Sequence, residues 1–293
     1  MNPISGYSIK DLEKLSGIKA HTLRIWEKRY SLFKPRRTDT NIRLYSNEDL
    51  KLILNISQLN NSGIKISKIA EMDEDAISKK VAEINLVKTE HDDIIKSMII
   101  AMIDLNETLF LQIFSDSVLR TGFEDTILKV IFPFFQRIGV MWQTGGVNPA
   151  QEHFITHLIR QKLIVAIDGI RNTRKNELGT VILFLPENEL HEISLLFYDY
   201  LLRARNYKTI YLGQTVPPEN LVRIAEIAKP DFIVSVVTSP FSKATISGLV
   251  KILEGIQVSR RILLSGRAVL SSKRKFPSRI KVFKDAEELL TLL

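Results

Sequence analysis

Two stretches of the chain hold residue types that can do chemistry. In LPENELHEIS a carboxylate, Glu189, stands two positions before an imidazole, His191. A histidine nitrogen ligates transition metals, and a carboxylate on the other ring nitrogen fixes the tautomer and raises the basicity of the ligand. Taken alone, the pair also reads as a surface histidine among acidic neighbours. The second stretch, MWQTGGVNPAQEHFITHLI, sets Trp142 nine residues before Glu152 and His153, across a Gly-Gly turn. An indole is a flat apolar platform, and Glu and His can hydrogen-bond the polar rim of whatever packs on it. His153 and His157 have the helical spacing of two zinc ligands. HFITH, however, lacks the internal Glu of the metalloprotease helix, and no third ligand is evident in the sequence.

Both stretches need elements to position them. After Gly179 the chain alternates β-rich runs (TVILFLP, YKTIYLG, DFIVSVV, RRILLSG, KVF) with helical ones. Such alternation predicts a doubly wound parallel α/β sheet, flavodoxin- or Rossmann-like, of about five strands. Ligands of these sheets sit at the carboxyl ends of the strands, near the point where strand order reverses. The loop after the first strand carries Glu189 and His191. It has no G-x-G-x-x-G, so a dinucleotide is not expected. From 94 to about 171 the periodicity is helical and predicts a small four-helix bundle. The polar segment 73–93 reads as a helical or extended linker. The expected domains are thus 1–75, a linker 76–93, a bundle 94–175 and a sheet domain 176–293.

Charge divides the chain as well. Residues 1–70 hold 13 Lys and Arg against 6 Asp and Glu, whereas the other 223 residues are nearly balanced, 28 against 27. A basic module on a neutral body points to an anionic polymer. SIKDLEKLS and AHTLRIWEKRY are two short helical patterns across a turn at Gly17, the helix-turn-helix arrangement whose second helix enters the major groove. Lys19, His21, Thr22, Arg24 and Lys28 fall on or near that helix. A basic two-stranded wing follows, with Arg36, Arg37, Arg43 and Tyr45 available for phosphates. There is no cysteine, no signal-peptide pattern and no apolar run long enough to span a membrane. A cytoplasmic protein is expected.

The run TLRIWEKRYSLFKPRRTDTNIRLYSNEDLKLI resembles the winged helix-turn-helix of MerR-family transcription regulators, over residues 7–72. Thr40-Asn41-Ile42 replaces the usual Gly pair before the wing arginine. Glu189-Leu190-His191-Glu192-Ile193-Ser194 is similar to the Asp-x-His-x-x-Gly motif of cobalamin-binding domains, with Glu for Asp and Ser194 for Gly. Trp142 with Glu152-His153 resembles the W-x9-EH motif of B12-dependent, light-sensing MerR regulators of the CarH/LitR type. The resemblance implies that His191 is the lower ligand of the cobalt of cobalamin and that Glu189 hydrogen-bonds it. It places Trp142, Glu152 and His153 around the adenosyl group of adenosylcobalamin. Ser235 or Ser239, with Ser265 and Gly266, would line the pocket of the nucleotide tail. Gln143 stands where some light-sensing members carry a further His. The function implied is a sequence-specific DNA-binding regulator, a repressor, that senses light or cobalamin, binds as a homo-oligomer (dimer or tetramer) and is not an enzyme. The alternative is a cofactor-independent regulator whose sheet domain mediates oligomerisation or partner binding.

Overall fold

The computed structural model describes residues 6–33, 35–38, 41–87, 91–143, 148–170, 177–239 and 243–293. The chain divides into two compact units, 1–157 and 158–293.

The first unit begins with α1, Ile9–Ser16, whose start is fixed by local chemistry. The Ser8 hydroxyl accepts from the Asp11 amide, and the Asp11 carboxylate accepts from the Ser8 amide at 2.9 Å, a reciprocal cap. Gly17 ends the helix at φ +78°, a left-handed conformation that costs a residue with a Cβ. Helix α2, Ala20–Tyr30, has no capping side chain of its own. Glu13 of α1 substitutes, accepting from the Ala20 amide at 3.1 Å and pairing with Lys19 at 3.2 Å. Strands β1, Arg36–Arg37, and β2, Arg43–Leu44, pair antiparallel as the wing. Helices α3, Asn47–Asn61, and α4, Ile66–Ile69, follow. The segment expected to link the domains is a helix over most of its length, α5, Glu74–Val87, which buries Ile77 and Val81 and packs on α3.

The expected four helices of the bundle are α6, His91–Ile103; α7, Glu107–Thr121; a composite rod; and α10, Pro149–Asp168. The rod joins α8, Phe123–Thr126, through a π-helical turn, Ile127–Ile131, to α9, Phe132–Gln143. Pro133, which has no amide to donate, stands two residues after that widened turn. Helix α10 is shared between the units, which divide at residue 157.

A buried polar network ties α6 to the N-terminal module. Lys96 is fully buried, 2.7 Å from Asp92, 3.2 Å from Asp93, and donates to the Ser57 hydroxyl of α3 at 3.0 Å. Ser57 donates in turn to the Ser16 carbonyl of α1 at 2.7 Å, while Arg137 of α9 pairs with Asp92 and reaches the Leu15 carbonyl.

The second unit is the expected doubly wound fold. Its strands are β3, Thr180–Pro186; β4, Lys208–Val216; β5, Phe232–Val236; β6, Arg261–Ser265; and β7, Ile280–Val282. They alternate with α11, Ile193–Ala204; α12, Pro218–Ala228; α13, Lys243–Gly255; and α14, Arg267–Leu270, and α15, Ala286–Leu292, closes the chain. The strand order is β4-β3-β5-β6-β7, all parallel. Ile182, Ile233, Ile262 and Leu264 form the core of one sheet face, under Leu221, Val250 and Leu253. Strand order reverses between β3 and β5, so the loops leaving these two strands flank the place where such sheets bind ligands.

Candidate functional site

The reversal point brings together what the sequence keeps apart. Glu189, in the loop after β3, is wholly buried. One of its oxygens accepts from the Thr238 and Ser239 amides of the loop after β5, each at 2.7 Å. The other accepts from the His191 amide at 3.0 Å, from the Ser239 hydroxyl at 3.1 Å, and lies 2.6 Å from His191 Nδ1. Burial pushes the carboxyl up, but the bonds from the His191 ring and from the Ser239, His191 and Thr238 amides outweigh it and hold the group down at about 2. An ionised carboxylate at Nδ1 keeps the proton of the neutral ring there, so the lone pair lies on Nε2. The His191 side chain is 58 % exposed while its partner is buried. This is an oriented imidazole at the mouth of a sheet, suited to donate one nitrogen to a metal.

A carboxylate from the next residue steadies the same loop. Glu192 is buried, takes the Arg160 guanidinium on one oxygen and accepts from the Tyr211 hydroxyl at 3.1 Å on the other. Sequence reading missed all three residues and the Thr238 amide. Only the adjacency of Glu192 to His191 gave any signal, since Arg160 and Tyr211 lie on other elements.

The two candidate serines take different positions. Ser239 joins the Glu189 and His191 cluster, 3.3 Å from Nδ1. Ser235 is buried on β5, opposite Phe184 of β3, and its hydroxyl has no hydrogen-bond partner among the described residues. Side chains two apart on a strand share a face, so Ser235 faces the same side as Val237. Phe184 and Val237 line an apolar cavity of about 240 Å³ with Val216, Leu221, Ile246 and Leu249. Ser265 is buried at the end of β6 and its carbonyl accepts from the Val237 amide at 2.8 Å. Gly266 follows at φ +97°, where a Cβ would lie 2.6 Å from the Val237 backbone nitrogen and carbonyl carbon. Ser194 is half-buried in the first turn of α11.

On α10, Glu152 is half-buried and His153 exposed. The Trp142 and Gln143 side chains and the Gly145-Gly146 turn lie outside what the structure describes. Among the described residues no three His, Cys, Asp or Glu side chains converge as a metal site of their own, and no helix is long and apolar enough to cross a membrane.

In the N-terminal module Lys19, His21, Arg24, Lys28, Arg36 and Arg37 are exposed and Thr22 is half-buried. Tyr45 corrects the reading of the wing: it is 1 % exposed, pairs through its backbone with Tyr7, and donates its hydroxyl to Glu27 at 3.0 Å. Its alternation with Leu44 turns the ring into the core, away from any phosphate. Arg43 is half-buried and gives its Nε to the same carboxylate at 3.1 Å, which tethers β2 to α2.

Comparison with known proteins adds to this geometry. Residues 7–75 match the MerR HTH family regulatory protein model, and residues 94–166, within α6 to α10, match a B12 binding domain. The HTH-type transcriptional repressor CarH of Myxococcus xanthus is 26% identical over 78% of this chain and 77% of its own length. CarA of the same organism, also an HTH-type transcriptional repressor, is 23% identical over 77% and 74%. The HTH-type transcriptional regulator MlrA of Escherichia coli is 38% identical over 22% of this chain and 26% of its own. In fold, the chain is similar to a monomethylamine corrinoid protein of Methanosarcina barkeri, with a TM-score of 0.53 at 17% identity over 66% of this chain and 93% of that one.

Proposed function

We propose that this chain, which joins a MerR-type DNA-reading module at residues 7–75 to a B12 binding domain, is a DNA-binding transcription regulator, a repressor, whose hold on its operator depends on a bound corrinoid. The observation that carries the reading is the Glu189–His191 pair, held at 2.6 Å where strand order reverses. A corrinoid held there would supply a cobalt able to take an imidazole nitrogen as ligand and, in its adenosyl form, a light-sensitive cobalt–carbon bond.

The chain's own residues would do the rest. His191 would offer Nε2 to the cobalt, with Glu189 holding the ring's proton on Nδ1 and setting its orientation. The Ser235 hydroxyl, without a partner among the described residues, and the apolar cavity lined by Phe184 and Val237 would suit an aromatic base that carries one hydrogen-bond acceptor. Gly266 keeps the backbone after β6 close to Val237 beside them. Trp142, Glu152 and His153 are assigned by resemblance to the upper, adenosyl, ligand. Arg24, Lys28, Arg36 and Arg37 are assigned to phosphates, and the regulator acts as a homo-oligomer, since two-fold operators are read by paired modules.

The test is a visible spectrum. Protein soaked in adenosylcobalamin in the dark and desalted should stay pink-red, and His191→Ala should bind more weakly with the spectrum of water-ligated or base-off cobalt. Identical bound spectra and affinities for the two proteins would remove the ligand assignment. A wild type that desalts colourless leaves the cofactor-independent regulator as the account. The DNA half is tested separately, by selecting a preferred duplex from a random pool.

A further inference from the structure

The near balance of charge in residues 71–293 hides a second basic surface. Between Ile256 and Lys284 there are nine Lys and Arg and no Asp or Glu, so the rest of that region carries 19 against 27. In the fold this stretch is β6, α14, a loop and β7, the sheet's edge strand at that end. Arg260, Arg261, Arg267, Lys273, Arg274, Lys275, Lys281 and Lys284 are all exposed.

Among the described residues, their surroundings leave most of this charge without an ion pair. Elsewhere basic side chains meet carboxylates: Lys51 with Asp104, Lys129 with Asp125, Arg160 with Glu192, Arg203 with Asp199. Along this edge, among the described residues, Lys284 alone approaches one, at 3.8 Å from Asp285. Arg274 instead bonds the Ser247 hydroxyl, and Arg279 the Glu254 and Ile256 carbonyls. Protection of a sheet edge against pairing needs a charge or two on the strand itself, which accounts for Lys281 but not for the residues in α14 and the loops. Five residues of β6 extend about 17 Å, a length over which duplex DNA presents about ten phosphate charges. A membrane surface would call for an apolar face as well, and Leu270 is the lone exposed large hydrophobic of this stretch among the described residues.

We propose that the β6–β7 edge is a second, sequence-independent DNA surface that binds the phosphate backbone outside the bases the N-terminal module reads. The inference rests on the reading of the chain as a DNA-binding regulator. It adds that the sheet domain takes part in holding DNA.

The experiment measures log K against log salt for the full chain on a duplex of about 40 base pairs of arbitrary sequence. Lys273→Ala/Lys275→Ala/Lys281→Ala should lower the slope by about 2–3, close to 0.9 for each phosphate no longer neutralised, with an unchanged melting temperature. The matching triple Lys→Arg protein should keep the wild-type slope. A control of equal charge loss elsewhere on the sheet unit, Lys208→Ala/Arg223→Ala/Lys251→Ala, should leave it unchanged. An unaltered slope in the first variant overturns the proposal, as does an equal fall in the control, which would make it bulk charge. Loss of binding to phosphatidylserine vesicles with an unaltered DNA slope overturns it too and moves the surface to a membrane. The wing variant Arg36→Ala/Arg37→Ala separates the two readings. If it lowers the slope while the edge variants do not, the regulator stands and this surface falls. If wild type binds neither this duplex nor any selected one, the regulator itself falls.

Discussion

Glu189 carries a charge in a buried place because five donors meet it: three amides, a hydroxyl and an imidazole N–H. Hydrogen bonds to a charged group are worth about 1.5–3 kcal/mol in stability, more than neutral ones. A depressed acid has a definite sign in linkage. An unfolded glutamate titrates near 4.5 and this one near 2, so its stabilisation is complete above pH 4.5 and is lost as pH falls toward 2. Denaturant unfolding of wild type and Glu189→Gln should therefore differ by about 2 kcal/mol at pH 7. The gap should narrow steadily below pH 4.5. A gap that is constant from pH 7 to 3 would mean the carboxylate's charge is not what the two loops hold.

At the scale of elements, two close approaches decide how parts pack. Gly266 lets the chain leave β6 beside the Val237 backbone at a positive φ. Gly266→Ala adds a methyl group to a space already held by backbone, so neither partner can swing aside. A loss of about 3 kcal/mol or more is expected in thermal or denaturant unfolding, together with weaker corrinoid uptake. Lys96 is the counterpart in the helical unit, a buried cation between α3 and α6 whose partners are Asp92, Asp93 and Ser57. Truncating it takes the cation from the buried Asp93 carboxylate, while the half-exposed Asp92 keeps Arg137, so Lys96→Ala should cost about 3 kcal/mol. Lys96→Met/Asp93→Leu replaces charge with apolar volume and should recover most of that loss. A double variant as unstable as the single one would show that the network needs its charges for a reason other than pairing.

For the whole molecule the question is whether the cofactor's state reaches the DNA. A ligand shifts a two-state equilibrium only by its differential affinity for the two states, and passing from mostly one to mostly the other takes about 5.5 kcal/mol. Under the proposed assignment of Trp142, Glu152 and His153 to an adenosyl group, its burial with paired hydrogen bonds would be of that order. Operator affinity and oligomer size should therefore differ between the apo form, the dark adenosylcobalamin form and the illuminated form. Equal values in all three, with cofactor demonstrably bound, would make the corrinoid a structural element and not a signal.

The sequence by itself determined the features whose partners are close in the chain. The Ser8–Asp11 cap, the left-handed Gly17, the helical and strand periods and the order of domains are short-range, and each is written in types and spacing. Glu189 and His191 belong here too, because a two-residue separation is enough to bring a carboxylate to an adjacent ring. Tertiary structure decided the rest. The Thr238 and Ser239 amides meet Glu189 across some 50 residues because β3 and β5 are neighbours, and strand order is set by packing of the whole sheet rather than by any local pattern. Tyr45 turns inward, α5 docks on α3, and Lys96 sits dry between carboxylates for the same reason. Which face of an element is buried depends on what arrives to cover it, and that is settled only when the chain closes on itself.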